Sequence, residues 1–221
     1  MLVKNKMSKP KLIIFSSGSK TGGGSGFENL VKARDTGILD AEIVAVVSNN
    51  AEGGVREKAD RLGVPFVLFT GPFEEDGYKK ILIDTGAEWV ALSGWLKLVK
   101  GLDPAKTFNI HPGPLPRFGG KGMYGHHVHE AVMEAYKNPD KEQRVTHSAV
   151  TMHFVTPIYD EGPIFFQYPI EILPDDNAES LGRRVNEAEH LWQPKITNMV
   201  VHGEISWDGK NPETLRVPDK L

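Results

Sequence analysis

The sequence predicts an α/β fold: an open, mostly parallel sheet with helices on both faces and an antiparallel hairpin toward the C-terminus. Short apolar runs rich in β-branched residues alternate with segments whose apolar residues recur at helical spacing, which is the pattern of βαβ units. Glycines stand where the first helices should end. Two later apolar runs are separated only by a short turn, as in a hairpin.

Five strands and three helices are predicted in the first half of the chain. The strands are Lys11–Ser17, Ala41–Ser48, Val64–Phe69, Trp89–Leu92 and Thr107–His111. Helical spacing is carried by the sets Phe27, Leu30 and Val31, then Val55, Ala59 and Leu62, then Tyr78, Ile81 and Leu82. Gly37 and Gly63 are expected to end the first two helices. A long loop of prolines and glycines at residues 112–122 stops the fifth strand, and we hypothesise that it acts as a lid.

The second half predicts a helix, a hairpin and a C-terminal helix. The first two consist of a helix over Tyr124–Tyr136 and strands over Ser148–Val155 and Ile164–Ile172. The last helix is spaced by Leu181, Val185 and Ala188. Pro194 is expected to kink or break its continuation, because proline lacks a backbone N–H group. We therefore predict one Rossmann-like domain over residues 1–221, with 1–10 as a flexible N-terminal segment.

Composition narrows the classes of function. The 221 residues include 39% hydrophobic side chains, and the mean hydropathy is -0.32, which predicts a soluble globular protein. A net charge of -3 provides no basic field for nucleic acid. The absence of cysteine excludes disulfides and thiolate nucleophiles. No apolar run approaches the roughly 18 residues of a membrane helix, so we expect a cytoplasmic protein.

A glycine-rich loop, residues 18–26, lies between the first strand and the first helix. Free N–H groups and the helix dipole at such a place favour an anion such as phosphate. The loop is not a P-loop, because Gly24 stands where lysine is required. It also does not match the dinucleotide-binding motif, because Phe27 occupies the position of the third glycine. Phosphate binding and a flexible connector both remain open.

The end of the fifth strand carries side chains suited to acyl transfer. Period-two alternation places Asn109 and His111 on one face, with Ile110 on the other. An amide can hold a developing oxyanion, and an imidazole can move protons near neutral pH. Asp160, in the acidic turn of the hairpin, can either accept the amine proton or orient His111 and raise its basicity. A satisfied strand-end histidine and a plain turn remain the structural alternatives.

Two further segments carry side chains that suit ligands. On a helix, His126 and His129 would share a face, with His127 beside them. No cysteine, no HExxH pattern and no obvious third ligand accompany them, so we expect no metal site. The segment Ser93–Val99 joins a glycine to large apolar groups, and it can form core or wall a pocket for a flat heterocycle.

Six motifs follow one another in order along the chain. They are Gly24-Ser25-Gly26, Ser93-Gly94-Trp95-Leu96-Lys97-Leu98, Asn109-Ile110-His111-Pro112, His153-Phe154-Val155, Asp160-Glu161-Gly162-Pro163 and Glu189-His190. From Lys11 to about His202, this set resembles the phosphoribosylglycinamide formyltransferase family of folate-dependent enzymes. The resemblance implies transfer of the formyl group of 10-formyltetrahydrofolate, as cosubstrate, to the amine of glycinamide ribonucleotide. The products would be formylglycinamide ribonucleotide and tetrahydrofolate, in de novo purine biosynthesis, with no metal required.

The resemblance also implies site residues. The catalytic positions are Asn109, His111 and Asp160. The ribonucleotide positions are Gly24, Ser25, Gly26, Asn186 and Glu189. The folate positions are Leu96, Lys97, Leu98, Val99, Pro157, Ile158, Tyr159 and Asp160.

Other functions remain open on the sequence alone. The nearest is a formyltransferase of the same fold acting on an amino-sugar nucleotide, and a non-catalytic nucleotide-binding module is a further alternative. Little chain follows Val201 for an RNA-binding domain, which disfavours a tRNA formyltransferase. The second strand ends without an acid for a ribose hydroxyl, which disfavours a dehydrogenase. We expect small-molecule substrates, no nucleic acid or membrane partner, and a monomer or homodimer.

Overall fold

A computed structural model describes residues 8–221. Its strands are β1 (Lys11–Phe15), β2 (Glu42–Ser48), β3 (Phe66–Leu68), β4 (Trp89–Ser93), β5 (Thr107–His111), β6 (His147–Phe154) and β7 (Ile164–Glu171). Its α-helices are α1 (Ser25–Asp35), α2 (Gly54–Leu62), α3 (Glu75–Thr85), α4 (His126–Tyr136) and α5 (Ala178–Val201). The predicted strands and helices are all present, and the bounds that were predicted differ from the observed ones by at most two residues.

All the strands join in one sheet of order β3-β2-β1-β4-β5-β6-β7. The pairs from β3 to β5 are parallel, whereas β6 runs antiparallel to β5 and to β7. The chain leaves β1 on one side for β2 and β3, then returns to β4 on the other side. A crevice forms at such a switch point, outside the carboxyl ends of the strands. The ends of β1 and β4 therefore mark where a ligand should bind.

Alternate residues of β1 pack on opposite faces of the sheet. Leu12 and Ile14 lie in a large core with apolar side chains of α1, α2, α4 and α5. Ile13 and Phe15 lie in a smaller core that includes Tyr78 of α3. Full burial of each such side chain contributes about 1.5–3 kcal/mol. Helices thus cover both faces of the sheet, as predicted. Because β1 is buried on both faces, it fixes the position of the carboxyl ends of the strands at the crevice.

Pro194 was expected to kink or break the last helix, and the break does not occur, since α5 continues through it to Val201. Proline at this position leaves the carbonyl of His190 without its usual intrahelical donor. Asn29 of α1 supplies a replacement, because its side-chain amide donates to the His190 carbonyl at 2.8 Å. Tertiary packing against α1 therefore satisfies the backbone group that the sequence pattern left open.

The N-terminal segment predicted to be flexible, 1–10, falls mainly on residues 1–7, which lie outside the described residues. Within residues 8–221, no helix is both long and apolar enough to cross a membrane.

Candidate active site

A cavity of about 750 Å³ opens at the carboxyl ends of β1, β4 and β5. Its walls come from the glycine loop with the start of α1, the segment after β4, the loop after β5, and the facing sides of α4 and α5. The predicted site residues that line it are Gly24, Ser25, Gly26, Leu96, Asn109, His111, Tyr159, Asp160, Asn186 and Glu189. The fold therefore brings together most of the residues that the sequence singled out.

Four side chains, Asn109, His111, His153 and Asp160, form a group that we call the transfer cluster. Asn109 and His111 end β5, and His153 lies directly opposite Asn109 in the antiparallel pairing with β6. Asp160 comes from the turn between β6 and β7. The Asn109 amide nitrogen lies 3.1 Å from His153 Nε2 and 3.5 Å from Asp160 Oδ1. Strand pairing and the turn after β6 thus bring an amide, two imidazoles and a carboxylate together, and Asn109, His111 and Asp160 line the cavity.

One ring nitrogen of His111 is hydrogen-bonded to a backbone carbonyl, and the other faces a carboxylate. Its Nε2 lies 2.8 Å from the Phe118 carbonyl, which can only accept, so Nε2 carries the proton of the neutral ring. Nδ1 faces Asp160 Oδ2 at 3.8 Å. Burial lowers the pKa of His111, although the charge of Asp160 and the Phe118 hydrogen bond oppose this. At neutral pH the imidazole is therefore uncharged, and Nδ1 can take a proton.

Asp160 is held in place by the loop after β5. Its backbone has φ 56°, the one positive value at a non-glycine residue within residues 8–221, and such values recur at functional sites. The Gly120 N–H group donates to Asp160 Oδ2 at 2.9 Å. Burial favours the neutral acid, but the His153 and His111 rings and the Gly120 N–H group outweigh it, so the pKa of Asp160 lies below its ordinary value. The carboxylate therefore stays ionised and is a weak base.

His153 connects the amide to the carboxylate. Its Nδ1 lies 2.8 Å from the Phe154 carbonyl, so Nδ1 donates there. In the neutral ring, Nε2 accepts from the Asn109 amide, which fixes the direction of that amide. A protonated ring would instead donate from Nε2 to Asp160 Oδ1, which lies 3.5 Å away.

The other end of the cavity is formed by the N-terminus of α1. The backbone ladder of α1 begins with Glu28 N–H donating to the Gly24 carbonyl at 3.0 Å. The N–H groups of Ser25, Gly26 and Phe27 precede that bond and have no intrahelical acceptor. Gly24 has φ 75°, a conformation that glycine adopts without strain. This turn presents several donors and the positive end of the helix dipole to the cavity.

His129 of α4 with Asn186 and Glu189 of α5 form the helical wall of the cavity. Neither ring nitrogen of His129 has a hydrogen-bond partner within the described chain, and its Nδ1 is buried. Burial lowers the pKa of His129 to about 4. Burial also raises the pKa of Glu189 to about 7, against the effect of an Asn186 amide 3.3 Å from its carboxylate. These groups leave much of their hydrogen-bonding capacity open.

Several predicted folate positions lie outside the cavity lining. They are Lys97, Leu98, Val99, Pro157 and Ile158. Val99 is buried in the smaller core, the Leu98 carbonyl accepts from Tyr78, and the Lys97 ammonium lies over the Phe73 ring. A contact between these residues and a folate stays a prediction.

The three histidines considered for a metal point to different surroundings. His126 and His127 are exposed and lie 3.3 Å from Glu130, whereas His129 is buried. Within residues 8–221 there is no cluster of three or more His, Cys, Asp or Glu side chains that could hold a metal ion.

Residues 11–197 match the formyl transferase family. This chain belongs to the formyl transferase family. The chloroplastic phosphoribosylglycinamide formyltransferase of Arabidopsis thaliana is 31% identical over 93% of this chain and 76% of that relative. The protein of the same name from Vigna unguiculata is 34% identical over 90% of this chain and 63% of that relative. Glycinamide ribonucleotide transformylase 1 from Symbiobacterium toebii has a TM-score of 0.77 at 27% identity, covering 96% of this chain and 95% of that one.

In this formyl transferase, three features of the cavity were not predicted from the sequence. Gln193 lies seven residues after Asn186 and four after Glu189, so helical spacing could have placed it on the same face of α5. The burial of His129 and the Gly120 N–H bond to Asp160 had no local signal. The first depends on the packing of α4 against α5, where Gly182 lies beside the His129 ring, and the second depends on the path of the loop after β5.

Proposed function

We propose that this protein transfers the formyl group of 10-formyltetrahydrofolate to the amine of glycinamide ribonucleotide. The observation that carries this function is the transfer cluster. An amide, a neutral imidazole with an open nitrogen and an ionised carboxylate share one cavity with an anion-binding helix N-terminus. Family membership and the names of the two plant relatives support the same function.

The acceptor is proposed to span the cavity. Its phosphate binds the free N–H groups of Gly24, Ser25 and Gly26, where the helix dipole favours an anion. Asn186 and Glu189 hold the ribose hydroxyls or the amine, since both can accept hydrogen bonds. This arrangement places the amine near β5. The folate ring is proposed to lie near Leu96 and Tyr159 at the opposite side of the cavity, where apolar groups line it.

The transfer step follows from the protonation states of the cluster. The amine nitrogen attacks the formyl carbon, and the Asn109 amide donates to the oxygen as it becomes negative. His111 Nδ1 takes the proton released by the amine. The bond from the formyl carbon to the folate nitrogen then breaks, and that nitrogen receives the proton from the His111 imidazolium, which returns His111 to its neutral form. Because Asp160 is a weak base, we assign it the role of stabilising the imidazolium rather than that of accepting the amine proton.

The test mixes the purified protein with 10-formyltetrahydrofolate and follows release of tetrahydrofolate with and without glycinamide ribonucleotide. We expect release that depends on the ribonucleotide. Release only with an amino-sugar nucleotide would replace the acceptor, and release at the same rate without any acceptor would replace transfer by hydrolysis. A mass measurement of formylglycinamide ribonucleotide identifies the product.

We further propose that residues 1–221 form one formyltransferase domain, that it is a monomer or homodimer, and that it works in the cytoplasm without nucleic acid or membrane partners. A phosphorylated acceptor crosses a bilayer poorly, so the enzyme must share the compartment of its substrate. Light scattering after size exclusion measures the oligomeric state. Cell fractionation tests the location, with a plastid as the alternative suggested by the names of the plant relatives.

A further inference from the structure

Gly26, in the first turn of α1, is packed against two polar side chains from other elements. A Cβ atom added at Gly26 would overlap the hydroxyl oxygen of Ser93 and come within 3.0 Å of Gln193 Oε1. The φ angle of Gly26 is not in the left-handed region, so close packing, rather than backbone conformation, requires glycine here.

Ser93 and Gln193 form a buried pair. The Gln193 amide donates to Ser93 Oγ at 3.1 Å. Gln193 is 1% exposed and Ser93 is 7% exposed. Although Ser93 and Gln193 are this deeply buried, both line the cavity. A buried, hydrogen-bonded amide holds its position more rigidly than an apolar side chain of the same size, because any movement would leave it unsatisfied.

The pair joins the two ends of the cavity. Ser93 ends β4 and pairs with Ile110 in β5, which stands between Asn109 and His111. Gln193 lies one helical turn after Glu189 on α5. The first turn of α1 therefore rests on a strand bonded directly to the transfer cluster and on the helix that carries Glu189.

We propose that Ser93 and Gln193 are positioning residues for the acceptor. Together they set where the first turn of α1 lies, and so the distance from the phosphate-binding N–H groups to the transfer cluster. The pair selects phosphorylated amines whose length matches that distance. This inference rests on the proposed function, because it takes the phosphate of the acceptor to bind at α1.

The experiment is a steric rescue. Gly26→Ala adds a methyl group that collides with Ser93 Oγ, whereas Ser93→Ala removes that oxygen. The variants are Gly26→Ala, Ser93→Ala and the double variant, each measured for the KM of acceptor and of folate. Calorimetry with ribose 5-phosphate measures binding at the phosphate end without any need for turnover. Gly182→Ala serves as control, because its added Cβ meets His129 rather than Ser93.

We expect Gly26→Ala to raise the acceptor KM and the ribose 5-phosphate Kd at least tenfold, with the folate KM within twofold. The double variant should return to within threefold of Ser93→Ala. Ser93→Ala should not rescue Gly182→Ala. Equal losses for acceptor and folate, or a double variant as weak as Gly26→Ala, would overturn the inference.

Gln193→Met tests the pair from the other side, since it keeps the volume and removes the amide. We expect a threefold to tenfold rise in acceptor KM with an unchanged folate KM, and no rise would also overturn the inference. If the wild-type protein fails to use glycinamide ribonucleotide while ribose 5-phosphate binding still follows the rescue pattern, the proposed function fails and the positioning role stands.

Discussion

The transfer cluster and the helical wall face each other across one cavity, yet the protein satisfies their polar groups to different extents. In the transfer cluster, His111 and His153 each donate to a backbone carbonyl, and Asp160 accepts from Gly120. In the helical wall, His129 has no hydrogen-bond partner within residues 8–221, and the nearest partner of the Glu189 carboxylate is an amide 3.3 Å away.

This difference indicates a division of work. Groups that must be oriented before the reaction are held by hydrogen bonds to the backbone, because reorientation of these groups during the reaction would raise the activation barrier. Groups that recognise a substrate keep open hydrogen-bonding capacity, which the substrate then fills. Changes in the transfer cluster should therefore act on kcat, and changes in the helical wall on acceptor binding and on stability.

The largest effect is expected for His111→Ala. Loss of the proton acceptor should lower kcat by about 10³-fold, within the range for general bases, while the KM of both substrates changes little. Folate release under saturating substrates measures kcat. The exposed His127→Ala should match the wild type. A retained wild-type kcat in His111→Ala would remove His111 from the mechanism.

Asp160→Asn should lower kcat by about 10²-fold, because the imidazolium loses its anionic partner. Removal of the negative charge also lowers the pKa of His111 further, since the charged ring is no longer stabilised. The acidic limb of the kcat profile, measured with both substrates saturating so that acceptor binding by Glu189 does not enter, should therefore move to lower pH. A shift to higher pH would instead make Asp160 the proton acceptor. The exposed Glu161→Gln serves as the matched control.

Glu189→Gln should raise the acceptor KM about tenfold at pH 8, where the wild-type carboxylate is ionised and accepts hydrogen bonds from the substrate. At pH 6 the wild-type carboxyl is mostly neutral, since its pKa is about 7, so the ratio of the two KM values should fall. Initial rates at both pH values measure the ratio. A ratio independent of pH would show that ionisation of Glu189 plays no part in binding, and Glu187→Gln on the exposed side of α5 is the control.

The smallest effect concerns stability. The pKa of His129 falls from 6.5 in the unfolded chain to about 4 in the fold, so the unfolded state binds more protons between these values. The wild type should therefore lose about 1–2 kcal/mol from this group between pH 7 and pH 5. His129→Leu should lack that loss in urea unfolding, whereas the exposed His127→Leu should keep it. An equal pH dependence in all three proteins would show that folding leaves the pKa of His129 unchanged.

Local patterns predicted most of the fold for physical reasons. The alternation of apolar runs reflects a sheet buried on both faces, and Gly63, with φ 64°, ends α2 as expected. Pro194 shows the limit, since the pattern could not reveal that Asn29 would replace the missing donor. Alternation and the family resemblance pointed to Asn109, His111 and Asp160, and the fold places all three in the lining of one cavity. The same patterns did not show that Val99 packs in the smaller core or that Ile158 lies outside the cavity lining, because side-chain direction in loops depends on distant packing.

The sequence by itself determined the order of strands and helices, the glycine turn before α1 and the types of side chain that lie at the carboxyl ends of β1, β4 and β5. These depend on residues close together in the chain, where spacing and backbone preference act. Only the tertiary structure decided which nitrogen of His111 is open, why Asp160 stays ionised, and that Ser93 and Gln193 fill the space beside Gly26. Those properties depend on contacts between residues up to 100 positions apart, and the burial that sets them exists only when the elements pack together.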